Sequence, residues 1–331
     1  MKRFDYQLDK VIGEIKKRKA KVVLLQFPEG IKQEASDVVK SIEKKTNVSC
    51  VVSGETCWGG CDIDINEAKA VKADLIIHFG HAPFIKYNFP IFYVHVDDSK
   101  DLLPFAKKSL SKLKSFKNIG LLSSIQHMHM IDQVKKFYQT NDKKVTIPGK
   151  KGHGFLGGHV VGCEYGGLKA IKSKIDAVVV IGNQFHALGA ALAVPDKPVF
   201  MIDTYNNEVV DMETQRKMFI TQRAASIAKI EDAKKIGIIV GLKAGQHFGL
   251  PGPIKKGLEK MGKQVMVITM REMTTDKIIN FYDIDGFVEL ACPRIAVDDY
   301  GKYNKPIITF REAMVVIGKT KWDDLLENGF V

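Results

Sequence analysis

No stretch of this chain approaches the ~18 uninterrupted apolar residues that a membrane-spanning helix requires. The opening segment, MKRFDYQLDKVIGEIKKRK, carries charge throughout and has no apolar core of the kind a secretory leader uses. The expected compartment is therefore the cytoplasm, with no membrane partner. Runs rich in proline or serine are also missing, which predicts domains that pack closely. Cysteine is scarce and odd in number, five residues without regular close spacing. That excludes a disulfide framework, and in a reducing compartment all five stay thiols. The formal net charge is +12, yet the lysines are dispersed and not interleaved with aromatics. A stacking platform for nucleic acid is therefore not expected. The positive excess suits attraction to an acidic or ribosome-associated partner, and equally a lysine-rich surface serving solubility or heat tolerance.

What is present is an ordinary globular composition, 45% hydrophobic and 27% charged, over 331 residues. That length predicts about two or three domains. Short β-branched runs alternate with amphipathic stretches such as residues 31–45, where Ile31, Ala35, Val38, Val39 and Ile42 recur at helical spacing. Strands are expected at 21–27, 48–54, 75–80 and 91–96. The pattern returns at 118–124, 144–149, 177–183 and 199–203, and again at 235–242, 264–270, 286–292 and 306–310. A long helix is expected over 211–234. Near-continuous apolar strands separated by helices mean parallel sheets covered on both faces. The fold class is therefore α/β. It comprises three similar domains, each a small four-stranded parallel sheet flanked by helices, with boundaries at 1–102, 103–210 and 211–331.

Parallel α/β sheets place ligands at the carboxyl ends of their strands. Three cysteines fall there: Cys61 in WGGCDID, Cys163 in VVGCEYGG and Cys292 in ELACPRIAVDDYG. The loops after the first strand of each domain, 26–30, 124–127 and 242–246, converge on the same side. Three thiolates are one short of the four that usually close an iron–sulfur cluster. A cluster held by three would keep one iron open to a substrate.

The blocks QFPEG, WGGCD, HFGHA, IQHMHM, VVGCEY, LKAGQ and ACPRIAVDDYG occur in order, and together the chain resembles the radical enzymes of archaeal diphthamide biosynthesis. The resemblance runs from end to end, and ACPR followed by VDDYG is its most specific block. It implies a 4Fe-4S cluster held by Cys61, Cys163 and Cys292 around a central metal site. It further implies S-adenosylmethionine as co-substrate, cleaved to give methylthioadenosine and a 3-amino-3-carboxypropyl radical. The radical would be transferred to one histidine of translation elongation factor 2, the first step of diphthamide biosynthesis. Archaeal members work as homodimers, so the resemblance also implies a homodimer, and the chemistry needs an electron donor. Topology and the family blocks together make Pro28, Glu29, Gly30, Gln126, His127, Lys243, Gly245 and Gln246 the expected co-substrate pocket. Two alternatives stay open: an enzyme similar to quinolinate synthase, which also combines three domains with three cysteine ligands, and a non-catalytic metal-stabilised scaffold.

Other signals have plainer readings. Cys57 and Cys61 form C-x3-C, but Asp64 stands where a conventional radical enzyme has its third cysteine, so Cys57 is expected to be buried and inert. Cys50 lies within a strand and belongs to core packing. Residues 152–157 match G-x-G-x-x-G with Asp176 following, but the glycines around them forbid the helix that a dinucleotide site needs. Their expected use is close backbone approach by the Cys163 loop. His78, His81, His127, His129 and His186 fall on the active-site side, as substrate contacts or as hydrogen-bonded structural histidines. Arg294, Asp298, Asp299 and Tyr300 follow Cys292, where they would orient it or pair among themselves.

Overall fold

The computed structural model describes residues 3–298 and 300–330. Asp299 and the Tyr300 side chain, named above, lie outside the described part. All twelve expected strands are present, grouped in three sheets. The first contains Val22–Gln26, Ser49–Val52, Leu75–Phe79 and Ile91–Val94, all parallel, in the spatial order second, first, third, fourth. Asn118–Ser123, Lys144–Thr146, Ala177–Ile181 and Val199–Asp203 repeat that order. So do Lys235–Gly241, Gln264–Met270, Gly286–Glu289 and Ile307–Thr309. Three copies of one topology bear out the reading of a repeated α/β architecture.

The strands form because every second side chain meets a separate core. In Ala177–Ile181, Val178 and Val180 enter one cluster while Ala177, Val179 and Ile181 enter the other, and all five are fully buried. The first sheet divides likewise, with Val23 and Leu25 on one face and Leu24 on the other. A side chain of this size contributes about 1.5–3 kcal/mol when fully buried. Helices on both faces are thus a condition of these strands.

A second device recurs with the topology. Asp74, just before the third strand of the first sheet, accepts the backbone N–H groups of Lys21 and Val22 where the first strand begins. Asp176 does the same for Lys117 and Asn118, and Asp285 for Lys234 and Lys235. Asp176 is therefore committed to tying strand ends, like its two counterparts. The glycine-rich segment before Cys163 is irregular, and the next helix, Gly166–Ile171, begins only after it.

Three pieces were not expected. Glu208–Asp211 adds an antiparallel edge to the second sheet, and Phe4–Asp5 pairs with Asp97–Asp98. Two-residue strands leave no periodicity to read. The long helix spans Glu213–Asp232, within the expected interval, and buries Arg223 in a bidentate pair with Glu312. No described helix is long and apolar enough to cross a membrane.

Candidate metal centre

The lobes meet pairwise, and the two seams that involve the third lobe are made by residues close to a cysteine. Between the first and third, Gly245 donates its N–H to the Cys61 carbonyl at 3.1 Å. A Cβ on Gly245 would stand 2.4 Å from that oxygen, so only glycine allows this approach. Lys243 bridges Asp62 Oδ2 at 2.6 Å and Glu272 Oε2 at 3.2 Å. Glu272 also accepts from Thr56 Oγ1 at 2.6 Å and Trp58 Nε1 at 2.7 Å. Burial alone would drive Lys243 towards its neutral form, but the two carboxylates outweigh it and hold the ammonium above its usual range.

Between the second and third lobes, Arg294 grips Asp298 with Nε and Nη2, both at 2.7 Å, and donates Nη2 to the Phe185 carbonyl at 2.8 Å. Its guanidinium lies 4.1 Å from the Phe185 ring centre. Phe185 in turn packs over Gly162, whose φ of +79° and missing Cβ make room for the ring beside Cys163. Between the first and second lobes, Gln126 Nε2 donates to the Gly80 carbonyl, and His153 stacks on Phe84 at 4.0 Å.

Cys61, Cys163 and Cys292 are each part-buried at this junction. Burial raises all three thiols, Cys163 to about 12; Cys61 raises Cys163 further, and Cys163 and Cys61 both raise Cys292. Thiols packed together this way ionise poorly alone, and a bound cation relieves that cost by taking them as thiolates. Glu289, buried within its strand, accepts the N–H groups of Ala291 and Cys292 at 3.1 and 2.9 Å and sets the turn that presents Cys292. Gln246 Nε2 points at Cys61 Sγ from 3.7 Å. Three polar atoms around the junction, His127 Nδ1, His186 Nδ1 and Arg294 Nη1, are buried without a protein partner. Three thiols, a donor aimed at sulfur and a buried cation with a free N–H fit an anionic iron–sulfur cluster.

The expected co-substrate residues divide. Lys243, Gly245 and Gln246 lie against the Cys61 loop, and Pro28 packs against Gly80. His127 is buried, 3.4 Å from Thr204 Oγ1, and burial pulls it down to about 4. Glu29 is exposed and pairs with Lys32 at 2.6 Å, and Gly30 has open space beside it. Among the other histidines, His129 is exposed near Asp97, while burial and then Arg294 hold His186 down to about 3. Cys50 packs against the first core. Sequence reasoning passed over Asp62, Glu272 and Glu289. Glu289 had a signal, a lone acid inside an apolar strand. Glu272 had none, because its first-lobe partners, Thr56 and Trp58, lie more than 200 residues away.

Fold and site together define a three-lobed parallel α/β protein with three thiols, one per lobe, gathered where the lobes meet. The chain belongs to the diphthamide synthesis protein family, whose model matches residues 27–326. It is 32% identical over 323 residues to the 2-(3-amino-3-carboxypropyl)histidine synthase of Pyrococcus horikoshii, covering 96% of this chain and 92% of that one. Subunit 1 of the same synthase from Debaryomyces hansenii is 30% identical over 337 residues, covering 97% and 78%. Among solved structures, the chain is similar to Dph2 from Pyrococcus horikoshii with a 4Fe-4S cluster. The TM-score is 0.86 at 30% identity, with 98% of this chain and 94% of that chain covered.

Proposed function

We propose that this chain is a 2-(3-amino-3-carboxypropyl)histidine synthase that carries out the first step of diphthamide biosynthesis. It transfers the 3-amino-3-carboxypropyl group of S-adenosylmethionine to a histidine of translation elongation factor 2. The observation that carries this reading is the convergence of Cys61, Cys163 and Cys292 from three lobes, on a fold shared with a cluster-bearing relative. The names of the relatives support the reaction. Domain boundaries at 102/103 and 210/211 go with this reading and assign one ligand cysteine to each lobe.

Cys61, Cys163 and Cys292 would hold a 4Fe-4S cluster as thiolates, and that group would supply the low-potential electron needed to cleave the sulfonium–Cγ bond. The rest is the work of the chain. Glu289 and Gly245 fix the two loops that carry Cys292 and Cys61, and Gln246 offers an N–H to the Cys61 sulfur. Lys243, Gly245, Gln246, Gln126, His127 and the 28–30 turn border the co-substrate, and the packed seams exclude water from a reactive group. The protein substrate brings its histidine to this site, the chain pairs as a homodimer, and an external donor delivers the electron.

Iron and acid-labile sulfide should reach about four of each per chain after oxygen-free purification. With a reductant and S-adenosylmethionine, such protein should release methylthioadenosine. Alanine at Cys61, Cys163 or Cys292 should remove or badly weaken the cluster, while Cys50→Ala should leave it intact. Protein that holds zinc or no metal after reconstitution would overturn the radical mechanism.

A further inference from the structure

A second group of metal-competent side chains converges in the first lobe. Cys57 is 4% exposed and lies four residues before Cys61. His78 is fully buried near the end of Leu75–Phe79, and His81 follows Gly80, whose φ of +81° turns the chain back at the strand end. Cys57 Sγ and one imidazole nitrogen from each histidine all lie within 4.8 Å of one another. His78 Nε2 and His81 Nδ1 are already 3.0 Å apart. Two nitrogens on a tetrahedral zinc, with bonds of ~2.0–2.1 Å, stand about 3.3 Å apart. The histidines are thus close to ligand spacing, and the thiol has at most about an ångström to close.

The tautomer is also prepared. Gln26 Nε2 donates to the Asp62 carbonyl at 2.8 Å, which turns Gln26 Oε1 towards His78 Nδ1, also at 2.8 Å. His78 Nδ1 therefore carries the proton and Nε2 presents a lone pair. A ligating histidine is ordinarily held this way, by an acceptor on its other nitrogen. In the metal-free protein that lone pair accepts the His81 Nδ1 proton. A cation takes its place: the Cys57 thiol releases one proton to solvent, and the part-exposed His81 changes tautomer, losing its proton from Nδ1 and taking one from solvent on Nε2.

We propose that Cys57, His78 and His81 form a second metal site, for one divalent cation of the zinc class, with its fourth position open to water. One thiolate and two neutral imidazoles make a donor set that suits zinc. The site joins the loop carrying Cys61 to the end of the adjacent strand, so its occupancy fixes that loop. It stands on its own geometry, separately from the cluster at the lobe junction.

The test uses full-length protein reconstituted without oxygen, exposed to Zn2+ alone, desalted and analysed for elements. The expected result is one zinc per chain above the iron content. Cys57→Ser and His81→Ala should each lose that zinc and keep their iron, which also reports that they fold. Wild-type protein that retains no zinc overturns the proposal, and so do both variants retaining as much as wild type. If Cys57→Ser strips the iron, the thiol belongs to the cluster and the second site falls. If wild type takes up no iron, the cluster reading fails instead, while the zinc difference between wild type and the two variants still decides this site.

Discussion

Two glycines show how the environment of a residue decides what that residue can be. Gly13 sits in the helix Leu8–Arg18 with nothing within 4 Å of where a Cβ would go. Gly13→Ala should therefore stabilise by about 0.5–1 kcal/mol through helix propensity alone. Gly245 is the opposite case, because its Cβ would meet the Cys61 carbonyl oxygen at 2.4 Å and Cα at 2.5 Å, both backbone atoms that cannot swing aside. Gly245→Ala should push the two loops apart and cost about 1–3 kcal/mol. Its clearer readout is iron content after reconstitution, which should fall well below that of Gly13→Ala. Equal iron in the two variants would show that the seam does not set the Cys61 loop. The sequence placed Gly245 in the expected co-substrate pocket, not in a seam against the Cys61 loop. The contact behind its role runs to a residue 184 positions away, and no local pattern records it.

At the level of elements, legibility followed burial. Strands buried on both faces read as unbroken apolar runs, so residues 177–183 and 235–242 were plain in the sequence. The hairpin strand Glu208–Asp211 was not, because it sits at a sheet edge and half of it is polar. The three strand-tying aspartates were present as letters, but their shared role emerges only when the sheets are superposed by order. Each accepts two backbone N–H groups at an exposed strand start. Replacing any one with alanine removes those acceptors while water can still reach the donors. The expected cost is therefore modest, about 0.5–2 kcal/mol by analogy with helix caps. Denaturant titrations of Asp74→Ala, Asp176→Ala and Asp285→Ala should give similar decrements. A large loss confined to Asp176→Ala, with reduced activity, would revive a ligand-binding role for that residue.

The molecule as a whole holds several histidines neutral by burial, and this gives its stability a direction in pH. Burial, and then the neighbouring His95 and His81, lower His159 to about 4, and its Nδ1 accepts the Phe155 N–H at 3.1 Å. His81 and His127 are lowered to about 4 as well, and His186 to about 3. An unfolded chain protonates its histidines near pH 6.5, so between about pH 6.5 and 4 the unfolded state binds more protons. The stabilisation is complete above 6.5 and is lost as the pH falls towards 4, at up to ~1.4 kcal/mol per pH unit for each histidine. Asp64, raised to about 6 chiefly by burial, and Glu289, raised to about 8 by burial, act in the other sense and lose stability as the pH rises. A single substitution isolates one contribution from this sum. His159→Asn keeps an acceptor for Phe155 and cannot titrate, so its unfolding free energy should fall less than wild type's between about pH 6.5 and 5. The expected gap is about 1–2 kcal/mol, read from paired denaturant curves. Parallel pH profiles would mean that His159 takes up its proton without unfolding, and that the glycine-rich segment before Cys163 opens to solvent in the native protein.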